Sequence, residues 1–268
     1  MDHHVFPSDA IGRGYSHNTL WDGCPISAIR GNPNLGWIVE DDFNTAHVFA
    51  SATAANGYKT FQDSSATIGP LNTAIGGVLR LSAPATGDTE AEIEAGSGAG
   101  GIFAISSTAG ATHRFWYEAR VKVSQIASES AFIGLAKPGW AANSALADTT
   151  GAPVSTGAFI GFSLLAAAPT AVDAIYQKAS TTLVTVKAAA HTLVADTYVS
   201  LGFHYDGRKL WYYVNGVKPA GVAGVMVSGN SSFPNGTVLV PAFGVKSSTT
   251  TISILDVDWF RAVQAYDV

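Results

Sequence analysis

The stretch Tyr198–Val217, YVSLGFHYDGRKLWYYVNGV, restricts the chain to a small set of folds. Val199, Leu201, Phe203 and Tyr205 alternate with Tyr198, Ser200, Gly202 and His204. That period of two suits a strand with one buried face, because successive side chains point to opposite sides. Asp206-Gly207 and Asn215-Gly216 tolerate the positive φ that tight hairpin turns demand. Leu210–Val214, between them, is aromatic and β-branched, a composition suited to a packed pleated surface. The stretch predicts two antiparallel strands and the start of a third, a β-meander.

The same pattern runs through the rest of the sequence. His113–Ser124 places Phe115, Tyr117, Ala119, Val121 and Val123 on one face, and Trp116, Glu118, Arg120, Lys122 and Ser124 on the other. One face belongs in a core and the other meets solvent or a partner. Further strands are expected at Trp37–Phe43, Gly77–Ser82, Glu90–Glu94, Gly101–Ser106, Ser130–Ala136, Ala158–Leu164, Ala174–Ala179, Thr182–Ala188, Val238–Val245 and Thr250–Val263. In the last, Ile252 and Ile254 fall on one face while Leu255, Val257 and Trp259 fall on the other, which a β-bulge explains. No segment carries helix caps with a 3.6-residue stripe. Many short strands with turn signals between them indicate an antiparallel sandwich or jelly roll.

With 47% hydrophobic and 13% charged residues, the 268-residue chain builds a core and is not disordered. Its net charge of −5 argues against nucleic acid as a partner. The single Cys24 excludes an intrachain disulfide and a cysteine-based zinc site. Neither an export signal nor an apolar run long enough to cross a bilayer is visible, so a soluble product made in a cytoplasm, without a membrane partner, is expected. Residues 1–37, with Pro7, Pro25 and Pro33 and no periodicity, read as an extended arm preceding a sandwich domain at 38–268. Leu20, Trp21, Ile26, Ile29 and Leu35 in this arm are costly to leave in water. They are expected to contact a neighbouring subunit, and removal of residues 1–37 is expected to leave a folded domain.

Several segments together resemble the concanavalin A-like lectin/glucanase superfamily. They are Glu40-Asp41-Asp42-Phe43, the strand Phe115–Val123, Phe132-Ile133-Gly134-Leu135, Phe159-Ile160-Gly161-Phe162, the meander through Tyr213-Val214-Asn215-Gly216, and Val257–Val263. Their order implies an all-β, antiparallel two-sheet jelly-roll sandwich from about Trp37 to Val268, preceded by the irregular arm. The superfamily hosts lectins, glycosidases, receptor modules and virion proteins, so function has to be argued from a site.

Glu90-Ala91-Glu92-Ile93-Glu94 puts three carboxylates on one face of a strand, and retaining glycosidases need two flanking the sugar bond. Endoglucanases of the superfamily carry a similar Glu-x-Asp-x-Glu strand. Here the central residue is Glu92, and the triplet precedes the strand Phe115–Val123 where the family pattern has it following. The expectation is therefore a solvated edge strand whose charges discourage pairing, no catalytic residue, and no enzyme. His3, His4, His113, His191 and His204 show no metal-ligand spacing, and Asp41-Asp42, Asp148, Asp256 and Asp258 match no calcium loop, so no metal and no cofactor is expected.

Two functions remain. A glycan-binding site would use Trp140, Trp116 or Trp211 as an aromatic platform, and the loop Lys137–Gly157 is the best place for it. The leading expectation is architectural, with the glycan-binding module as its alternative. An irregular arm before a low-charge jelly roll resembles structural proteins of tailed bacteriophages, which implies a virion protein assembled in the bacterial cytoplasm. It would be a capsid decoration (cement) protein first and a tail-fibre module second. Its partners would be the major capsid protein, other virion subunits and copies of itself, a trimer being favoured.

Overall fold

A computed structural model of the protein describes residues 19–266, apart from 45–48, 50–56, 64, 72–75, 97–101, 107–112, 127–128, 143–144, 149, 155, 221 and 248–250. His3, His4 and Pro7 lie outside the described residues. A short helix α1 (Ile26–Gly31) precedes β1 (Gly36–Asp41), β2 (Tyr58–Gln62), β3 (Thr67–Pro70), β4 (Leu79–Ala83) and β5 (Glu90–Ala95). Then follow β6 (Phe103–Ala104), β7 (Arg114–Val123), β8 (Glu129–Ala136), β9 (Phe159–Leu165), β10 (Ala168–Gln177) and β11 (Val184–Thr192). The meander is β12 (Val199–Tyr205), β13 (Lys209–Val214) and β14 (Val225–Met226), and β15 (Val238–Ser247) and β16 (Ser253–Ala265) close the chain.

The strands form two antiparallel sheets. The first runs β14-β13-β12-β7-β16-β4-β3, with β1 also on β16; the second runs β11-β10-β9-β8-β15-β5-β2, with β6 on β15. This is the two-sheet jelly roll expected from the sequence. The turn after β13 has Asn215 and Gly216 both at positive φ, and Asp206 closes the preceding turn by accepting from the Arg208 and Lys209 amides at 2.9 and 2.7 Å. The anticipated bulge in β16 falls between Val257 and Trp259 in its pairing with β7. Two strands, β2 and β3, go unseen in sequence because each is short and surrounded by Gly, Ser and Thr. Among the described residues no helix is long and apolar enough to cross a membrane.

The core lies between the sheets. Phe115, Tyr117, Val121, Leu201, Phe203, Tyr205 and Tyr212 enter it from the first sheet, and Ile93, Ile133, Ile160, Phe162, Val172 and Phe243 from the second. Full burial of each such side chain contributes about 1.5–3 kcal/mol. Tyr212 crosses the gap and donates its hydroxyl to the Ile175 carbonyl at 2.9 Å, so the sheets are also joined by a buried polar contact.

The arm differs from expectation in one respect. From Thr19 onward it packs on its own domain. Leu20 and Ile29 are buried on the outer face of the first sheet with Trp116, Tyr213, Val263 and Ala265, and Trp21, Ile26 and Leu35 pack against this cluster. A side chain at Gly202 would collide with Leu20, so that glycine makes the seat. Trp21 donates to the Glu118 carboxylate at 2.6 Å. The reason is the face of β7 and β13 that carries Trp116 and Tyr213, which needs an apolar cover. Leu20 and Ile29 supply it within the chain, which leaves them unavailable to a neighbour. The boundary placed at residue 37 falls inside β1.

Candidate functional site

On β5, Ala91, Ile93 and Ala95 enter the core, so Glu90, Glu92 and Glu94 project from the outer face of the second sheet. Across to β15 they pair in register with Lys246, Gly244 and Ala242. Further along this face stand Phe132 on β8, Phe159 on β9 and Ile175 on β10, an apolar surface that a bare sheet leaves in water. The connection from β8 to β9 covers it. Trp140, Ala145 and Leu146 of that loop cluster with Phe132, Phe159, Ile175 and Ala242. Trp140 lies 5.0 Å from the Phe132 ring, and a Cβ at Gly244 would stand 2.7 Å from its Cη2. The absence of a side chain at Gly244 is therefore what lets the six-membered ring of the indole come down onto the sheet.

The three carboxylates hold this loop by its backbone. Glu94 accepts from the amides of Gly139 and Ala141, each at 2.9 Å. Glu92 accepts from Ala142 at 3.2 Å, and Glu90 from Leu146 at 3.2 Å. Lys246 donates to Glu90 at 2.9 Å, to the Leu146 carbonyl at 3.1 Å and to Asp148 at 2.6 Å. The expectation of a solvated edge strand is thus corrected. Glu92 is 0% exposed, and β5 has β15 on one side and β2 on the other. The alternation of the carboxylates is legible in sequence; the loop that folds over them is not, because it arrives some fifty positions later with no periodicity of its own.

Burial pushes the Glu92 carboxyl well above its ordinary range, the neighbouring Glu90 adds to this, and the amides of Ala142 and Ala145 oppose it. A raised folded value means that this group contributes stability below its unfolded value and loses it as pH rises through the folded one. The loop is therefore expected to loosen as pH climbs above the ordinary carboxylate range. Hydrogen exchange at Gly139–Ala142, corrected for the intrinsic rate, should show falling protection with rising pH. Glu92→Gln should flatten that slope, and an unchanged slope would refute the assignment.

At the open end of the loop a cavity of about 260 Å³ lies between Lys137, Gly139, Trp140, Val154, Thr156 and Gly157. Its rim is fixed by the Lys137 amide on the Ala158 carbonyl at 2.8 Å and the Trp140 amide on the Lys137 carbonyl at 3.1 Å. A Cβ at Gly157 would lie 3.7 Å from Cδ1 of Trp140, so the indole edge that carries Nε1 faces this wall. That Nε1–H is buried and has no acceptor among the described residues. Lys137 and Thr156 are exposed. The arrangement offers an aromatic edge, a hydroxyl and an ammonium around a space suited to one sugar ring.

The other expected platforms are differently placed. Trp116 is buried beneath the arm and stacks on His204 with 4.7 Å between ring centres. Trp211 is half-buried, donates to Asp206 at 3.1 Å and is flanked by Lys209 and Lys218. Trp140 is 6% exposed and meets the cavity only along its edge, so none of the three presents a bare ring face. A larger cavity of about 550 Å³ beside β1 and β16 is lined by Glu40, Asp41, Asp42, Trp259 and Arg261. Its carboxylates are engaged: Glu40 with Arg30 and Arg261, Asp41 with the Tyr58 hydroxyl and the Phe43 amide, Asp42 with Asn44. Among the described residues no three His, Cys, Asp or Glu side chains gather as a metal ion requires.

No family model matches the chain and no curated protein does. Its likeness is to solved structures. A protein of unknown function from Shewanella oneidensis MR-1 has a TM-score of 0.56 at 12% identity, over 87% of each chain. Peanut lectin has a TM-score of 0.56 at 13% identity, over 87% of this chain and 99% of that one. The catalytic domain of an endo-1,3-β-glucanase (laminarinase) from Thermotoga petrophila RKU-1 has a TM-score of 0.54 at 11% identity, over 87% and 99%. The likeness is one of fold: the concanavalin A-like jelly-roll sandwich of lectins and glucanases. It also corrects the expectation that the chain is no enzyme, since glycoside hydrolases and an endo-β-1,4-glucuronan lyase share the sandwich.

Proposed function

We propose that the protein recognises glycans at the cavity between Lys137, Trp140 and Thr156. The observation that carries this is the conjunction, at one rim, of an indole edge, an exposed hydroxyl and an exposed ammonium around a sugar-sized space. Sugar recognition needs apolar contact with a few convergent polar groups that fix orientation. The lectins and glucanases of the same fold add support.

The test is an array of neutral, uronate-bearing, sialylated and sulfated oligosaccharides probed with the full chain. Saturable binding is expected, weakened about threefold to tenfold by Thr156→Ala, which removes one exposed hydrogen-bonding group. Release of reducing ends from each bound glycan, followed over time, separates recognition from turnover. Absence of saturable binding, or binding indifferent to both Thr156→Ala and Trp140→Ala, sinks the proposal.

A second reading is favoured by Trp37, 55% exposed on β1, a strand whose one hydrogen-bonded strand neighbour among the described residues is β16. An open edge strand bearing an exposed indole suits assembly. On this reading the protein is a virion component, a capsid decoration protein or tail-fibre module, whose partners are the major capsid protein and further copies of itself. Light scattering on the eluted protein should then give a trimer that Trp37→Ala converts to monomer. A monomeric wild type removes this reading.

A further inference from the structure

We infer that the cavity selects an acidic sugar, one bearing a carboxylate or a sulfate, and that Lys137 reads that charge. The inference rests on the glycan reading above and adds the class of ligand. Lys137 is the one ionisable residue among the described residues lining the cavity. No carboxylate among the described residues pairs with it, whereas Lys122 and Lys246 both sit in ion pairs. An exposed, unpaired ammonium at the mouth of a cavity is a donor awaiting an acceptor.

The surroundings are arranged to leave that charge unopposed. Two acidic groups against the loop, Glu92 and Glu94, belong to β5 and lie beneath it. Glu94 faces two amides of the loop, and Glu92 faces the amide of Ala142. Both carboxylates thus point into N–H donors at the loop's inner side, and Lys137 stands at its outer rim. Trp140 Nε1–H, buried behind the wall, is a pure donor without an acceptor among the described residues. Thr156 supplies a hydroxyl that either gives or takes. Among the described residues the remaining side chains of the wall, Val154, Ala142 and Ala145, are apolar. A hydroxyl group of a neutral sugar both donates and accepts, whereas a carboxylate or sulfate oxygen only accepts. The Lys137 ammonium, which only donates, therefore matches an anionic substituent better than a hydroxyl. Charge assistance strengthens each such bond.

The rest of the molecule makes the preference local. The chain carries a net charge of −5, so its surface as a whole repels anions. Selection for an acidic sugar then has to come from this rim and has to depend on salt.

The experiment titrates the full chain with matched oligosaccharides: a neutral cello-oligosaccharide and the same chain oxidised at C6 to the uronate, with the sialylated and sulfated members of the array alongside. The acidic ligand is expected to bind about fivefold more tightly at low ionic strength, the gap closing as salt screens the exposed pair. Lys137→Gln, at an exposed side chain, should abolish the gap, and Lys137→Glu should invert it. Equal binding of neutral and acidic chains, or a gap that survives Lys137→Gln, overturns the inference while leaving glycan recognition standing. If no glycan of either kind binds, glycan recognition itself fails and the charge preference falls with it.

Discussion

Lys246→Met is expected to lower the unfolding free energy by about 3–5 kcal/mol, the cost of leaving a buried charge without its partner. Lys246 and Glu90 have side chains 3% exposed each and meet at 2.9 Å. Removal of the ammonium leaves the Glu90 carboxylate under the loop with the Leu146 amide and the neighbouring Glu92 carboxyl as its partners. Asp148, also bound to Lys246, has a side chain 62% exposed, so water takes over when that contact is lost. Asp148→Ala should therefore cost about 1 kcal/mol or less, as exposed pairs do. The double variant Lys246→Met with Glu90→Gln should recover most of the loss, because it leaves no buried charge and keeps an acceptor for the Leu146 amide. Urea unfolding of wild type, Lys246→Met, Glu90→Gln and the double variant gives the coupling. A single Lys246→Met variant within 1 kcal/mol of wild type would show that the cluster is solvated. Burial works against the Lys246 ammonium, but the hydrogen bonds to Asp148 and Glu90 outweigh it and hold its pKa above the ordinary lysine value. Its contribution is present below that ordinary value and fades as pH rises through the folded one, so the gap between wild type and variant should close only in strong alkali.

The meander shows what a sequence makes legible. Its strands, its two turns and its inward face of Leu201, Phe203 and Tyr205 are written in local alternation and turn chemistry, and the structure places them in the core. The outward faces are another matter. Trp116 on β7 and Glu92 on β5 alternate as solvent-facing residues should, yet both are buried, by the arm in one case and by the loop 137–157 in the other. Those covers are irregular segments distant in sequence from what they cover. Periodicity reports which side of a strand a residue occupies, and it is silent about what a loop lays over that side. The signals that were present are subtler. Gly202 and Gly244 interrupt well-formed strands on their outer faces, and each marks a place where a side chain from the cover, Leu20 or Trp140, comes down onto the backbone. An isolated glycine in a strand is a known sign of such close approach. The rim with Lys137 and Thr156 had no such marker, because two exposed polar residues in a loop rich in small residues look like any surface.

Truncation through Leu35 should have a comparably large effect, opposite to the expectation of an autonomous domain beginning near residue 38. The comparison has three members: the full chain, a chain lacking residues 1–18, and one lacking residues 1–35. Only the third loses Leu20 and Ile29, and with them the cover over Trp116, Tyr213 and Val263. Loss of two fully buried aliphatic side chains is expected to lower stability by roughly 3–6 kcal/mol. That is a large part of the 5–15 kcal/mol typical of a folded domain. The same cut removes the bond from Trp21 to Glu118 and the Leu20 amide on the Gly216 carbonyl at 2.9 Å, which ties the arm to the turn closing the meander. Glu118, whose pKa is raised by burial and drawn down by Trp21 and Arg261, then meets water and should titrate nearer to the ordinary range. The 1–35 deletion is therefore expected to bind a hydrophobic dye, to unfold at clearly lower urea and to associate at moderate concentration. Leu20→Ala alone should reproduce a loss of about 2–5 kcal/mol. A 1–35 deletion as stable as the full chain, with no dye binding, would mean that the outer face of the first sheet needs no cover and that the arm is free to act on a neighbour.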